Sequence, residues 1–127
     1  MHFFGWCTLA PAHTAYPDRP IRMIVPSTPG GGTDLAARMV APRLSEFLGQ
    51  QIVIDNRGGA SGNIGAELGV RAAPDGYTLT AAVASLISNA SLMKKVPFDV
   101  ERDFTPIAMK VIVPNLLASH PSLPPPM

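Results

Sequence analysis

The sequence predicts an α/β domain built on a parallel sheet, and three features carry that expectation. From Tyr16 onward, short β-rich apolar runs alternate with amphipathic segments of helix length. Two glycine-rich loops, over residues 27–32 and 56–62, each follow such a run and each lead into a helical segment. Hydrophobic residues make up 46% of the 127-residue chain against 15% charged, enough apolar surface for a packed core. Strands alternating with helices imply right-handed βαβ units, with helices on both faces of the sheet.

In chain order, IRMIV between Pro20 and Pro26 reads as the first strand. The loop STPGGG follows, and Thr33 or Asp34 is expected to cap a helix with Ala36, Val40, Leu44, Phe47 and Leu48 toward the sheet. Gly49 stands where a helix ends in a left-handed residue. Pro42 breaks the helical rule: it lacks an N–H and its ring clashes with the Arg38 carbonyl, so either the helix kinks or this copy is under weak selection. QIVID (residues 51–55) is the second strand. Ser61 is the expected cap of a second helix to about residue 73, burying Ile64 and Leu68. Pro74, Asp75 and Gly76 make a turn. YTLTAAVA is the third strand, residues 85–93 a short helix or turn, residues 105–113 a fourth strand and residues 115–119 a fifth extended piece. The final PSLPPPM reads as linker.

Composition removes several classes of function. Ten basic side chains against nine acidic, with Lys94-Lys95 the only double, argue against nucleic acid as a partner. Cys7 cannot form an internal disulfide, and His2, His13 and His120 show no metal-ligand spacing. No apolar run reaches the roughly 20 residues that span a bilayer. Residues 3–10, FFGWCTLA, followed by Ala10, Ala12 and Ala15, have the order of an export signal, although no Lys or Arg precedes them. A buried first strand or a mis-called start is the alternative. Cys7 lacks the leucine-containing context of a lipoprotein anchor.

The chemistry gathers at the two glycine loops. In an open parallel sheet, ligands bind beyond the carboxyl ends of the strands. Helix N-termini there present free N–H groups to anions. Two readings stay open: an anion cradle, or glycines that only turn the chain tightly. The phosphate-gripping lysine of a P-loop is absent, and PGGGTD does not fit a dinucleotide fingerprint. The donors are backbone amides with Thr28, Thr33, Ser61, Asn63 and Ser85, which suit a carboxylate better than a polyphosphate. Arg57 is the nearest cation and is expected in a surface pair, while Asp34 reads as a cap before it reads as a ligand for an amine or metal. No cofactor is expected. A small α/β enzyme is the competing class, but Ser85 has no histidine near it in the sequence to serve as base.

The runs YPDRPIRMIVP, PGGGTD, LSEFLGQQIVIDNR, GASGNIG and APDGYTL, in that order and spacing, resemble the opening of a receptor of the Bug or TctC family. KKVPFDVERDFTPIA and VPNLLASHPSLP extend the resemblance to about residue 124. It implies a periplasmic solute-binding protein of the two-lobed Venus-flytrap fold, with residues 1–15 a signal remnant, 16–114 the first lobe and 115–127 the start of the hinge, cut before the second lobe. It also implies a ligand site. Ser27, Thr28, Gly31, Gly32, Thr33 and Asp34 would hold one carboxylate together with Ala60, Ser61, Gly62 and Asn63, through ordered waters, while Ala84 and Ser85 line the cleft. The implied ligands are di- and tricarboxylates, acidic amino acids and related acids, delivered by a monomeric receptor to a tripartite tricarboxylate permease. Four departures stand out: Ser27 where an aromatic residue is common, Pro42 inside the helix, the leader without a basic region, and the stop at PSLPPPM. A non-functional fragment of such a receptor is therefore a further reading. Mass spectrometry of the exported chain is expected to find a mature N-terminus between Ala12 and Pro17, and an intact Met1 in the cytosol would contradict the leader.

Overall fold

The computed structural model describes residues 16–93 and 96–109. The expected leader, hinge start and fifth extended piece lie outside them. Three strands form one parallel sheet: β1 (Ile21–Val25) in the centre, β2 (Ile52–Asn56) on one side and β3 (Thr78–Thr80) on the other. Helix α1 (Gly32–Leu48) joins β1 to β2, and α2 (Asn63–Val70) joins β2 to β3. After β3 come α3 (Ala84–Leu92) and the single turn α4 (Val100–Asp103). This is the α/β parallel sheet that the sequence predicts. Because the order is β2-β1-β3, right-handed crossovers put α1 and α2 on opposite faces, and the chain changes direction between β1 and β3.

A central parallel strand is covered on both faces, so it reads as an unbroken apolar run. Ile21, Ile24 and Val25 are fully buried accordingly. On one face Ile21, Met23 and Val25 pack with Ile52, Ala81 and the α1 residues Ala37 and Ala41. On the other, Ala66 of α2 packs with Leu86 of α3 and with Phe98, whose ring meets Phe104 edge-on at 5.9 Å. Losing a fully buried isoleucine such as Ile24 to alanine costs about 2–5 kcal/mol in cores of this kind.

Helices α1 and α2 bury a different stripe from the one their apolar residues announce. In α1 the buried positions are Asp34, Ala37 and Ala41, one residue on from Ala36 and Val40; Leu44 and Leu48 pack at its edge as expected. Phe47 is 87% exposed. In α2, Ile64 and Leu68 face outward while Asn63, Gly65 and Ala66 are buried. The cause is close approach. A Cβ on Gly69 would lie 2.2 Å from Thr80 Oγ1, and one on Gly65 would lie 2.8 Å from Pro26 Cα. The helix sits so low on the sheet that its contact face has to be glycine, four residues apart. It also ends at Val70 rather than near residue 73.

Two further expectations change. Neither helix is capped by a side chain: α1 begins at Gly32 after Gly31, so Thr33 and Asp34 lie within its first turn, and α2 begins at Asn63 after Gly62, so Ser61 is not its cap. No strand forms over residues 105–109, which lie exposed with no ladder partner among the described residues; a strand exists only where its backbone groups are paired. Residues 110–113 of that expected strand are outside the described residues. α4, in contrast, is announced by its own cap, since the Asp99 carboxylate accepts from the N–H groups of Glu101 and Arg102.

Helix α1 runs unbroken through the exposed Pro42 and ends at Gly49, which takes the expected left-handed conformation at φ 68°. The Ser45 hydroxyl three residues after Pro42 donates to the Ala41 carbonyl (2.8 Å) and accepts the Ile52 N–H (2.9 Å), tying the helix to the start of β2. Replacing Pro42 restores the missing N–H without disturbing that tie. Pro42→Gln is expected to stabilise the fold by about 1–3 kcal/mol, read as a raised urea midpoint; an unchanged midpoint would show that the helix already accommodates the ring.

Candidate functional site

Three loops leave the carboxyl edge of the sheet and meet there: residues 26–31 after β1, 57–62 after β2 and 81–83 after β3. The contact is backbone on backbone. A Cβ on Gly58 would sit 3.1 Å from Thr28 N and 3.2 Å from the Ser27 carbonyl carbon. One on Gly62 would sit 3.2 Å from Pro26 O and 3.1 Å from Val83 Cγ2. The second loop therefore lies over the end of β1, between the other two.

The first loop is shaped by Asp34. Its carboxylate, 2% exposed, accepts the Gly30 N–H (2.8 Å), Arg38 Nε (3.0 Å) and Asn56 Nδ2 (3.0 Å). The same Asn56 amide reaches the Ser27 carbonyl at 3.3 Å, so the end of β2 is tied to both ends of the loop. The Arg38 hydrogen bond, then those from Gly30 and Asn56, lower the Asp34 pKa from 3.8 to about 2. With every contact inward, Asp34 is neither a helix cap nor a surface ligand for an amine or metal. It reaches back from the third helical position to fix Gly30. No cluster of His, Cys, Asp and Glu fit for a metal occurs among the described residues.

The second loop is a left-handed turn. Gly59, Ala60, Ser61 and Gly62 have φ of 114°, 47°, 55° and 92°, so two residues with side chains sit where L-residues rarely go. The Ser61 carbonyl is held from α3, by Ser85 Oγ at 2.8 Å and Asn89 Nδ2 at 3.1 Å. Asn89 Nδ2 also donates to Asn63 Oδ1 (2.8 Å), and Asn63 Nδ2 approaches Met93 Sδ at 3.2 Å.

The structure thus brings all twelve sequence-predicted residues to one edge but divides them. Thr28, Gly32, Ala60, Ser61 and Ala84 are exposed there, Gly31, Thr33, Ser27 and Ser85 half-buried, and Asp34, Gly62 and Asn63 buried. Asp34, Asn63 and Ser85 direct their polar atoms at other residues of the lobe rather than at the surface. Ser27 differs: its Oγ is buried and has no hydrogen-bond partner among the described residues, and it lies beneath Gly31. Arg57 is paired with Asp55 (2.8 Å), as its surface position suggests. Burial alone would raise the Asp55 carboxyl, but Arg22 and Arg57 together keep it below its ordinary value. Arg38, Asn56 and Asn89, which hold the loops, are absent from the sequence-based set. The only signal for them was position, since Asn56 ends a strand and Asn89 stands one helical turn after Ser85.

A parallel sheet with its polar loops gathered at the direction change between β1 and β3 defines an α/β lobe of the topology in which ligands sit beyond the carboxyl ends of the strands. The profile of the tripartite tricarboxylate transporter family receptor matches residues 36–126, and the chain belongs to that family. It is similar to the protein BugT of Bordetella pertussis, 46% identical over 110 residues that are 85% of this chain and 34% of BugT. A solved periplasmic transporter is 50% identical with a TM-score of 0.63, over 67% of this chain and 29% of its own. MatC of Rhodopseudomonas palustris, solved with bound malate, is 34% identical with a TM-score of 0.65, over 72% of this chain and 31% of its own. The chain spans about a third of the length of the curated relatives it matches.

The Asp34 network carries a pH signature. A carboxyl whose folded pKa is lowered stabilises the fold above its unfolded value, and that contribution is lost as pH falls through the folded one. The urea midpoint is therefore expected to fall as pH drops from about 4 to about 2, and to fall less in Asp34→Asn, in which Asp55 and Asp103 remain to titrate. Equal slopes for the two proteins would remove Asp34 from that account.

Proposed function

We propose that the chain is the carboxylate-gripping part of an extracytoplasmic solute receptor, acting with a permease of the tripartite tricarboxylate type. The observation that carries the reading is the meeting of three loops around the uncapped first turn of α1. There, the N–H groups of the helix start and a Ser27 Oγ with no hydrogen-bond partner among the described residues share one small edge. Neutral donors of this kind match a carboxylate oxygen, directly or through a bridging water, and the malate held by MatC is a carboxylate of that size. Export to the periplasm follows the same family pattern. The contacting set is Ser27, Thr28, Gly31, Gly32 and Thr33 with Ala60, Ser61 and Gly62, and Ala84 at the rim. An acyl-transfer enzyme is the weaker reading, because the Ser85 hydroxyl donates to the Ser61 carbonyl rather than to a base.

Taken by itself, this stretch, about a third of the length of the curated relatives it matches, is expected to bind weakly, since a ligand held on one face keeps the other in water. NMR titration with malate, glutamate and citrate is expected to move the amides of Gly31, Gly32, Gly62 and Asn63, with a Kd of about 1 mM, or roughly 4 kcal/mol. A chimera carrying a family second lobe is expected to reach about 1 μM. Shifts confined to Arg57, Lys94 and Lys95 would mean non-specific charge pairing and defeat the cradle. Micromolar binding by the chain alone would defeat the dependence on a second lobe.

A further inference from the structure

The left-handed turn at Gly59, Ala60, Ser61 and Gly62 sits at the centre of the proposed site, and nothing in its own sequence favours it over its full length. Alanine and serine at positive φ crowd Cβ against the backbone, and an unrestrained loop relaxes toward negative φ. The restraint comes from elsewhere in the chain. On α3, Ser85 and Asn89 are four residues apart and therefore on one face, and both donate to the same acceptor, the Ser61 carbonyl. In a trans peptide the carbonyl and the following N–H point in opposite directions. Holding Ser61 O toward α3 thus turns the Gly62 N–H back into the loop, where it meets Gly59 O at 2.9 Å. Asn89 adds a second anchor on Asn63, the first residue of α2, so the turn is gripped at its middle and at its exit.

We propose that Asn89 is a positioning residue for the carboxylate site, with Ser85 as its partner: together they form a clasp from α3 that holds the left-handed loop in its binding form. The inference rests on the reading of that loop as part of the cradle. Asn89 acts through the loop and not by touching the ligand. It is 7% exposed, and the two protons on Nδ2 are both committed, one to Ser61 O and one to Asn63 Oδ1. Asn63, equally buried at 7% exposed, belongs to the same support and not to the contact surface.

The test is Asn89→Asp, which keeps the shape of the side chain and turns a carboxylate oxygen toward two acceptors. Two quantities are read: the 13Cα and 13Cβ shifts of Ala60 and Ser61 in the ligand-free chain, which report the sign of φ, and the Kd for malate. The expected result is a move of both shifts away from left-handed values and about tenfold weaker malate binding, the scale of one or two lost hydrogen bonds. The same exchange is then made in a Ser61→Gly background, where positive φ carries no side-chain penalty. There its effect on Kd is expected to shrink to about threefold or less. Unchanged shifts in Asn89→Asp would overturn the clasp. So would an undiminished tenfold loss in the Ser61→Gly background, which would mean direct contact or general damage. If Asn89→Asp fails to fold, Ser85→Ala removes one donor only, and the shifts of Ala60 and Ser61 must still move in the same direction; unmoved shifts there overturn the proposal equally. A chain that never responds to malate would sink the carboxylate reading, while the shift comparison would still decide the clasp.

Discussion

Everything at the carboxyl edge of the sheet depends on how closely the backbone of the second loop and of α2 lies against Pro26. A right-handed crossover must carry the chain from β2 over β1 to reach β3. Crossing that low is possible only where no side chain intervenes, and Gly62 and Gly65 supply the gap directly above Pro26. The consequence is spatial economy: a loop that belongs to β2 ends up seated on β1, touching the loops before and after it. Gly62 is doubly constrained, since its φ of 92° is itself a conformation that glycine adopts most easily.

Behind the meeting loops lie two small polar networks with different electrostatics. Asp34 with Arg38 and Asn56 is charged, whereas Asn63 with Asn89, Ser61 and Ser85 is neutral. A buried carboxylate behind an anion site is on its face unfavourable. Arg38 cancels its charge at close range, and the hydrogen bonds from Gly30 and Asn56 satisfy the remaining lone pairs, so the field reaching the surface is small. Arg38 itself is half exposed, which spares it the desolvation that a fully buried ion pair suffers. Each network fixes one loop.

Much of this fold was legible residue by residue, and the misses share a cause. The first two strands, the glycine at the end of α1 and the turn at Pro74, Asp75 and Gly76 follow from local rules, because apolar runs and positive φ are properties of short segments; the third strand, expected over YTLTAAVA, shrinks to Thr78–Thr80. The helix faces do not. Apolar periodicity assumes that the largest residues face the core, but in α1 alanines and in α2 glycines mark the closest approach, leaving Phe47 and Ile64 outside. The caps failed for a related reason: the loops place Gly31 and Gly62 where a serine or aspartate was sought, keeping the helix starts bare. The strand expected from residue 105 needed a neighbour, and β3 is only three residues long and pairs on its β1 side. For the site, the loops were visible as glycine runs, but their supports were not, because Asn56 and Asn89 act on residues 22 and 28 positions away.

At the opposite edge of the sheet the chain is pinned by aromatic contacts. Tyr16 donates to the Gly76 carbonyl at 2.8 Å and packs edge-on against Tyr77, whose ring is also covered by the Arg19 guanidinium 4.1 Å from its centre. Arg19 closes the clasp on Asp75. Tyr77 immediately precedes β3, so this anchor sits where the strands start, and the three loops sit where they finish. Anything joined upstream of Tyr16 therefore departs from the far pole of the lobe. For immobilisation on a sensor chip or for attachment of a fluorophore, a handle placed directly before Tyr16 starts from the pole away from the loop edge.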